Sequence, residues 1–281
     1  MLRILLVIII LTLVTLSIKA QGCSDAGVCS IDSYKNTNNQ LAWSVSQSAE
    51  LGENFILYLH TTIGMRLPLG EKAQVSMSLP YRNSIYKGEL YTGFSDATVA
   101  SSFNITSEYN IIAGLKIPLS ESNNSKDGVP LPMALQQGLG TFDAIISIDR
   151  RWKQNKLSMG YQYVFGTNNN AFMGNDNFGA SANLERGDDF MLRYDRYWGK
   201  EHRNWKASLV SVYRIGGDKI NDGEFVEKSK GLSINVAMVR SIQLKNNELE
   251  LMMAVPVVAR KARVDGLTRN FILSAKLNGI F

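Results

Sequence analysis

The sequence predicts an all-β protein: a transmembrane antiparallel up-and-down β-barrel of about twelve strands, with short periplasmic turns and long extracellular loops. Three observations predict it. Apolar and polar residues alternate in a dozen runs between Leu41 and Phe281, the period of a strand whose two faces meet different surroundings. Most runs extend over roughly 9 to 14 residues, whereas soluble strands average about 5 or 6 and a tilted bilayer-spanning strand needs about 9 to 11. The connections alternate between short and long, as in outer-membrane barrels.

The N-terminus bears on compartment. Met1-Leu2-Arg3 is followed by an apolar stretch from Ile4 to Leu16, and Ile18-Lys19-Ala20 offers a signal-peptidase site with Gln21 as the first mature residue. The stretch is shorter than the roughly 20 residues of a spanning helix, so residues 1–20 read as a cleaved signal peptide. Residues 21–40 are polar and Asn/Ser-rich, an N-terminal periplasmic arm ahead of a barrel over residues 41–281. The arm holds both cysteines, Cys23 and Cys29. An oxidising periplasm makes a small disulfide loop the first reading, with a metal or redox role as its alternative.

The strands follow in order. Leu41, Trp43 and Val45 alternate with Ala42, Ser44 and Ser46. A hairpin from Phe55 to Tyr81 comes next, its first arm placing Leu57, Leu59, Ile63, Met65 and Leu67 opposite Tyr58, His60, Thr62 and Arg66, its second placing Val75, Met77 and Leu79 opposite Gln74, Ser76 and Ser78. After a predicted loop over 82–90, weaker alternation runs from Ala97 to Phe103, then from Tyr109 to Ile117. A polar insert, Ser120 to Gly140, carries Gly128, Pro130, Pro132 and Gly138 and is long enough to fold inward. Phe142–Trp152 and Lys156–Phe165 form a hairpin about Lys153-Gln154-Asn155. The remaining runs are Asp189–Trp198, Trp205–Tyr213, Leu232–Met238, Leu249–Val257 and Phe271–Leu277. Pro256 would interrupt the eleventh run unless a bulge absorbs it. Short turns near Gly70, Ile105, Gln154, Glu201 and Asn246 alternate with long loops at 82–90, 119–140, 166–188, 216–231 and 260–268. An even strand count from a periplasmic start returns the C-terminus to the periplasm.

Trp43, Tyr81, Tyr91, Trp152, Phe165, Trp198, Trp205 and Tyr213 lie near strand ends, where interfacial girdles sit. Phe271, Leu273, Ala275 and Leu277 share a face ahead of the terminal Phe281, a C-terminal assembly signal of the kind read by the barrel assembly machinery of a Gram-negative envelope.

Five stretches also resemble an outer-membrane family named for the meta pathway of phenol degradation, a group of small transporter-like barrels. They are Arg66 to Tyr81 (RLPLGEKAQVSMSLPY), Gly93-Phe-Ser-Asp96, Ala113 to Leu119 (AGLKIPL), Gly138 to Asp143 (GLGTFD) and Ser158 to Tyr163 (SMGYQY), within roughly residues 55–170. These are turn and strand signatures, so the resemblance implies the fold first. It further implies passage of small aromatic or hydrophobic compounds.

With the apolar faces toward outer-membrane lipid, the alternate residues line the lumen. The candidates are Tyr58, His60, Arg66, Lys116, Asp143, Asp149, Arg151, Arg193, Asp195, Arg214, Glu250 and Lys276. Mixed charges inside a narrow barrel either pair and stiffen the wall or line an ion-selective path. Asp96, in Gly93-Phe-Ser-Asp96, reads as a turn residue pairing with a neighbouring strand. Formal net charge is +5, or +3 once Arg3 and Lys19 are removed with the signal. Basic residues are interspersed with acidic ones, leaving no nucleic-acid footprint. No metal or cofactor motif, serine elbow or nucleotide loop is present. His60 and Thr62, two apart on one face, and His202 in a turn make no catalytic set, so an enzyme is not expected. The expected function is passive passage of small solutes. The alternative is a non-conducting barrel acting through its extracellular loops.

Overall fold

A computed structural model describes residues 20–21, 40–199, 204–221 and 223–281. The predicted signal peptide apart from Ala20, the arm with Cys23 and Cys29, and His202 lie outside the described residues. Twelve antiparallel strands close into a barrel: β1 Ala42–Leu51, β2 Leu57–Pro68, β3 Ala73–Tyr86, β4 in two segments Glu89–Phe94 and Ala97–Asn104, β5 Tyr109–Ile117, β6 Phe142–Trp152, β7 Asn155–Phe165, β8 Asp189–Trp198, β9 Trp205–Arg214, β10 Gly231–Leu244, β11 Asn247–Val258 and β12 Phe271–Ile280. Each pairs with its sequence neighbours, and β12 closes the sheet on β1 from Phe271–Leu51 to Ile280–Ala42. Closure leaves no unpaired sheet edge, the condition a sheet must meet in lipid.

The alternation decides which face points out. On β2, Ile63, Met65 and Leu67 are about half exposed, while Tyr58, His60 and Arg66 at the alternate positions are buried. Outward apolar rows recur on every strand, among them Leu115, Ile146, Leu209, Met253 and Leu273. Phe271, Leu273, Ala275 and Leu277 occupy the outward positions of β12, and Phe281 extends past it, exposed.

One end carries the turns at 69–72, 105–108, 153–154 and 245–246, the facing ends of β8 and β9 at Trp198 and Trp205, and both barrel termini. All four tryptophans of the sequence sit at this end on outward positions: Trp43, Trp152, Trp198 and Trp205. The other end carries the loops 118–141, 166–188, 215–230 and 259–270.

Three local expectations are corrected. The residues 82–90 are no loop: β3 and β4 continue as a hairpin, Tyr81–Phe94 to Tyr86–Glu89, closed by Lys87-Gly88. Both turn residues have positive φ (50° and 82°), the turn geometry that matches strand twist and for which glycine is suited. The β1–β2 connection at the loop end is short, and Phe55 belongs to its single 3-10 turn, Glu53–Phe55, ahead of the strand. Tyr91 is no girdle residue but packs inward against the cluster of Ile56, Tyr58 and Phe178. Its inward phase follows from an irregularity between Tyr81–Phe94 and Ser78–Thr98, where Leu79-Pro80 oppose Ser95-Asp96-Ala97. Pro80 has no N–H to give the ladder, and the extra residue on β4 absorbs the break. The same logic holds at Pro256, where the pairing slips between Ile234–Val258 and Asn235–Pro256; here the bulge expected from the sequence is present.

Candidate functional site: a half-hollow lumen under a folded lid

All twelve sequence-predicted lumen residues stand on the inner face, but they do not form one site. The half of the wall built by β6–β9 is filled by its own side chains. Lys156 reaches Asp149 at 3.4 Å, Arg193 reaches Asp195 at 2.8 Å, and Gln162 donates to Asp143 at 2.6 Å. The Asp149, Lys156 and Asp195 side chains are at most 2% exposed. Arg151 lies beside this packed half, opposite Lys156 on the neighbouring strand. Such charges, paired in place, hold the wall rather than form a passage.

The other half is hollow because its inward residues are small. Ser44, Ser46 and Ser48 on β1, Thr62 and Gly64 on β2, Ser76 and Ser78 on β3, and Thr98 and Ala100 on β4 leave the space that arginine and lysine take up opposite. Two chambers result. The one nearer the loops, about 190 Å³, is bounded by Glu50, His60, Asp96, Lys116, Met252 and Ile272. The one nearer the turns, about 180 Å³, is bounded by Ser44, Gly64, Ser76 and Lys276. They share Ser46, Thr62, Ser78 and Thr98, which form the junction between them. Arg66 is the next inward position beyond Gly64, and Glu250 stands opposite Lys276 on the adjacent strand. Asp96, turned inward at the Pro80 irregularity, pairs with Lys116 at 3.2 Å and accepts the Leu139 N–H at 3.1 Å. It joins the wall to the 118–141 loop.

Above the chambers the loops fold into the barrel mouth as a lid. The insert predicted to be polar contributes Met133, Ala134, Leu135 and Leu139, all at most 5% exposed. They pack in two apolar clusters, one with Ile56, Tyr58, Phe172 and Phe178, the other with Leu184 and Leu267. Fully burying one such large side chain is worth about 1.5–3 kcal/mol, so the clusters offset much of the entropy of ordering the loops. Asparagines tie the loops by their amides. Asn168 Oδ1 accepts from the N–H groups of Asn170 and Leu184, and Asn170 Nδ2 donates to the Ser122 and Leu131 carbonyls.

Tyr58 anchors the lid to the wall. Its hydroxyl donates to the Ala134 carbonyl at 3.1 Å, which also accepts from Arg82 at 3.0 Å. The Arg82 and Arg269 guanidiniums lie over its ring at 4.4 and 3.7 Å from the centroid, geometry that attracts a cation to an aromatic face. Arg269 also donates to Glu50 at 2.6 Å. The backbone of Thr268–Arg269 pairs with Ala20–Gln21.

A second anchor is ionic. Arg214 makes two hydrogen bonds to Asp189, at 2.9 and 2.8 Å, and one each to Asp218 (2.7 Å) and Asp265 (2.9 Å). Arg260 adds bonds to Asp265 (2.8 Å) and the Ser229 carbonyl (2.9 Å). Arg186 donates to Asp143 at 2.6 Å. Burial by itself would raise the pKa of Asp265, but the Arg260 and Arg214 guanidiniums outweigh it and hold the carboxyl well below the usual carboxylate range. Of the residues in the two anchors, Tyr58, Asp143 and Arg214 were read as inward positions from the sequence. Asp218, Arg260, Asp265 and Arg269 lie in loops, where no period assigns a face; Arg82 was hidden in a segment read as a loop.

Gly266 sets how closely two loops approach. It has φ +70°, and a Cβ there would stand 2.6 Å from the backbone of Met133 and Ala134. Gly266→Ala is therefore expected to wedge the 259–270 loop off the 118–141 loop and speed limited proteolysis within either loop several-fold, since the added Cβ meets that backbone and alanine is strained at this φ. Unchanged cleavage would show that the loops do not depend on this contact.

No protein-family model matches the chain, and no curated protein matches it in sequence. Solved structures do match in fold. An outer membrane channel from Pseudomonas putida F1 aligns with a TM-score of 0.63 at 11% identity, covering 88% of this chain and all of that one. The Ralstonia pickettii toluene transporter TbuX aligns with a TM-score of 0.44 at 9% identity over 87% and 90% of the two chains. The translocator domain of the autotransporter NalP from Neisseria meningitidis gives 0.49 at 6% over 88% and 90%. Of these three, the Pseudomonas channel alone exceeds 0.5, and at 11% identity it shows a shared fold. That fold is the outer-membrane β-barrel, the architecture the five sequence stretches also implied.

Proposed function

We propose that the chain is an outer-membrane channel through which small solutes diffuse passively along the hydroxyl-lined half of the lumen, with the loop lid limiting entry. The observation that carries this reading is the pair of chambers meeting at Ser46, Thr62, Ser78 and Thr98. A lining of hydroxyls interrupted by Glu50, His60, the Asp96–Lys116 pair and Lys276 can accept small solutes of modest polarity, while Met252 and Ile272 give the upper chamber an apolar side. The resemblance to the phenol meta-pathway family makes small aromatic compounds the solutes to try first. In this reading residues 1–20 direct export and are cleaved, Cys23 and Cys29 close a disulfide in the N-terminal arm, and the assembly machinery inserts the barrel by its last strand.

One observation favours a second reading, a non-conducting barrel whose loops serve a partner: the lid buries a full ion-pair cluster and two apolar clusters across the mouth. Planar-bilayer recording separates the two. Purified protein is expected to show small discrete openings, enlarged when the lid is loosened. Silence from both the wild type and a lid-loosened variant would overturn the channel and leave the second reading.

A further inference from the structure

The lipid-facing wall has a site of its own. Across the outer face of β9–β12, β1 and β2 runs a groove of about 550 Å³, within the roughly 300–1,000 Å³ of small-molecule sites. Ala49 and Ala275 form its floor, with Met253 and Leu273 beside them, and at the β9–β10 edge stand Trp205 and Arg240. The floor is low because alanine falls where neighbouring outward positions carry leucine or methionine.

Arg240 is the unusual member. An outward guanidinium costs about 2–4 kcal/mol at the bilayer midplane and about 0–1 kcal/mol near the interface. Arg240 lies directly across from Trp205 in the ladder, so it sits beside the tryptophan belt, at headgroup depth. Its guanidinium covers the Trp205 ring at 4.8 Å from the centroid. The other outward arginines at this end have acceptors: Arg150 faces Glu108 at 3.7 Å, and Arg196 donates to the Asn155 side chain at 2.9 Å. Among the described residues no carboxylate pairs with Arg240. A guanidinium held flat on an indole with its N–H edge uncommitted is suited to bind a phosphate through two parallel hydrogen bonds.

We infer that this groove is a site for one phospholipid of the leaflet on the turn side, its phosphate on Arg240 beside Trp205 and an acyl chain laid over Ala49 and Ala275. The charge and the apolar trough are contiguous and at the depth where a phospholipid presents both. The site is separate from the lumen: the β11–β12 and β12–β1 ladders are continuous behind it.

The test is native mass spectrometry of detergent-purified barrel titrated with phosphatidylglycerol, with folding followed by heat-modifiable gel mobility. Wild type is expected to retain one lipid through activation. Arg240→Gln should lower its affinity at least tenfold, and Ala275→Phe, which fills the trough but keeps the arginine, should do the same. Arg150→Gln should bind as wild type, and bilayer recordings should be identical for all four proteins. Equal retention by wild type and Arg240→Gln would overturn the phosphate site. Retention unaffected by Ala275→Phe would overturn the acyl trough. A dimer abolished by Ala275→Phe, or phospholipid displaced by a neutral hydrocarbon with no dependence on Arg240, would assign the groove to another occupant and overturn the proposal.

Discussion

Arg214→Met is expected to open the lid while leaving the barrel folded. Arg214 is fully buried and bonded to Asp189, Asp218 and Asp265 at once. The methionine would fill similar volume but strand three carboxylates, with Arg260 the remaining neighbour, at 2.8 Å from Asp265 and 3.5 Å from Asp218. Removing one partner from a buried ion cluster costs about 3–5 kcal/mol. The ladders of β8 with β9 and β9 with β10 do not depend on that side chain, so the penalty falls on the loops 215–230 and 259–270. Trypsin should then cut at Arg260, Lys261 or Arg263 at least tenfold faster, heat-modifiable mobility should persist, and bilayer openings should grow in size or frequency. Adding Asp265→Asn should restore part of the protease resistance by removing one stranded charge. Wild-type resistance in Arg214→Met would mean that the apolar clusters alone secure the lid.

Thr62→Trp is expected to block the passage. Thr62 borders both chambers, and an indole at the junction would separate cavities of about 190 and 180 Å³ that now adjoin there. Flux of small solutes into proteoliposomes should fall by roughly tenfold or more, because conduction through so narrow a lumen is set by its tightest section. Thr61→Trp, one residue away but outward, with its hydroxyl now donated to Gln47 at 2.6 Å, is the control and should conduct as wild type. If both variants conduct alike, solutes do not use the hollow half of the barrel.

Strand number, strand order and the outward faces were legible because alternation and burial follow one rule in a barrel: every second residue meets lipid. The same rule placed Asp143, Asp149, Arg193 and Asp195 on the inner wall. It could not say which inner residues leave space. That depends on side-chain volume, and the signal was present in Ser44, Ser46, Ser76 and Ser78, small residues on one face of neighbouring strands, passed over in favour of charges. The lid was less legible still. Met133, Leu135 and Leu139 sit among glycines and prolines with no period, so a segment read as polar proved to hold much of the buried apolar surface. The hairpin at 82–90 was missed because Pro80 and the extra residue at Ser95-Asp96 throw β4 out of phase with the strands around it.

The barrel closes by joining its first strand to its last, Ala42 beside Ile280 and Leu51 beside Phe271, with the Phe281 N–H donated to the Leu41 carbonyl at 3.0 Å. Nearly the whole sequence separates these partners, while every other neighbouring pair is consecutive. Hairpins can therefore form early and cheaply in chain entropy, whereas the seam, which must bring the first and last strands together, closes late. Until then two ribbons of unsatisfied amides stand open to any passing strand. The chain is thus most vulnerable to misassociation in the interval just before completion. A deletion of even the last few residues should lengthen that interval far more than an equal deletion within any loop.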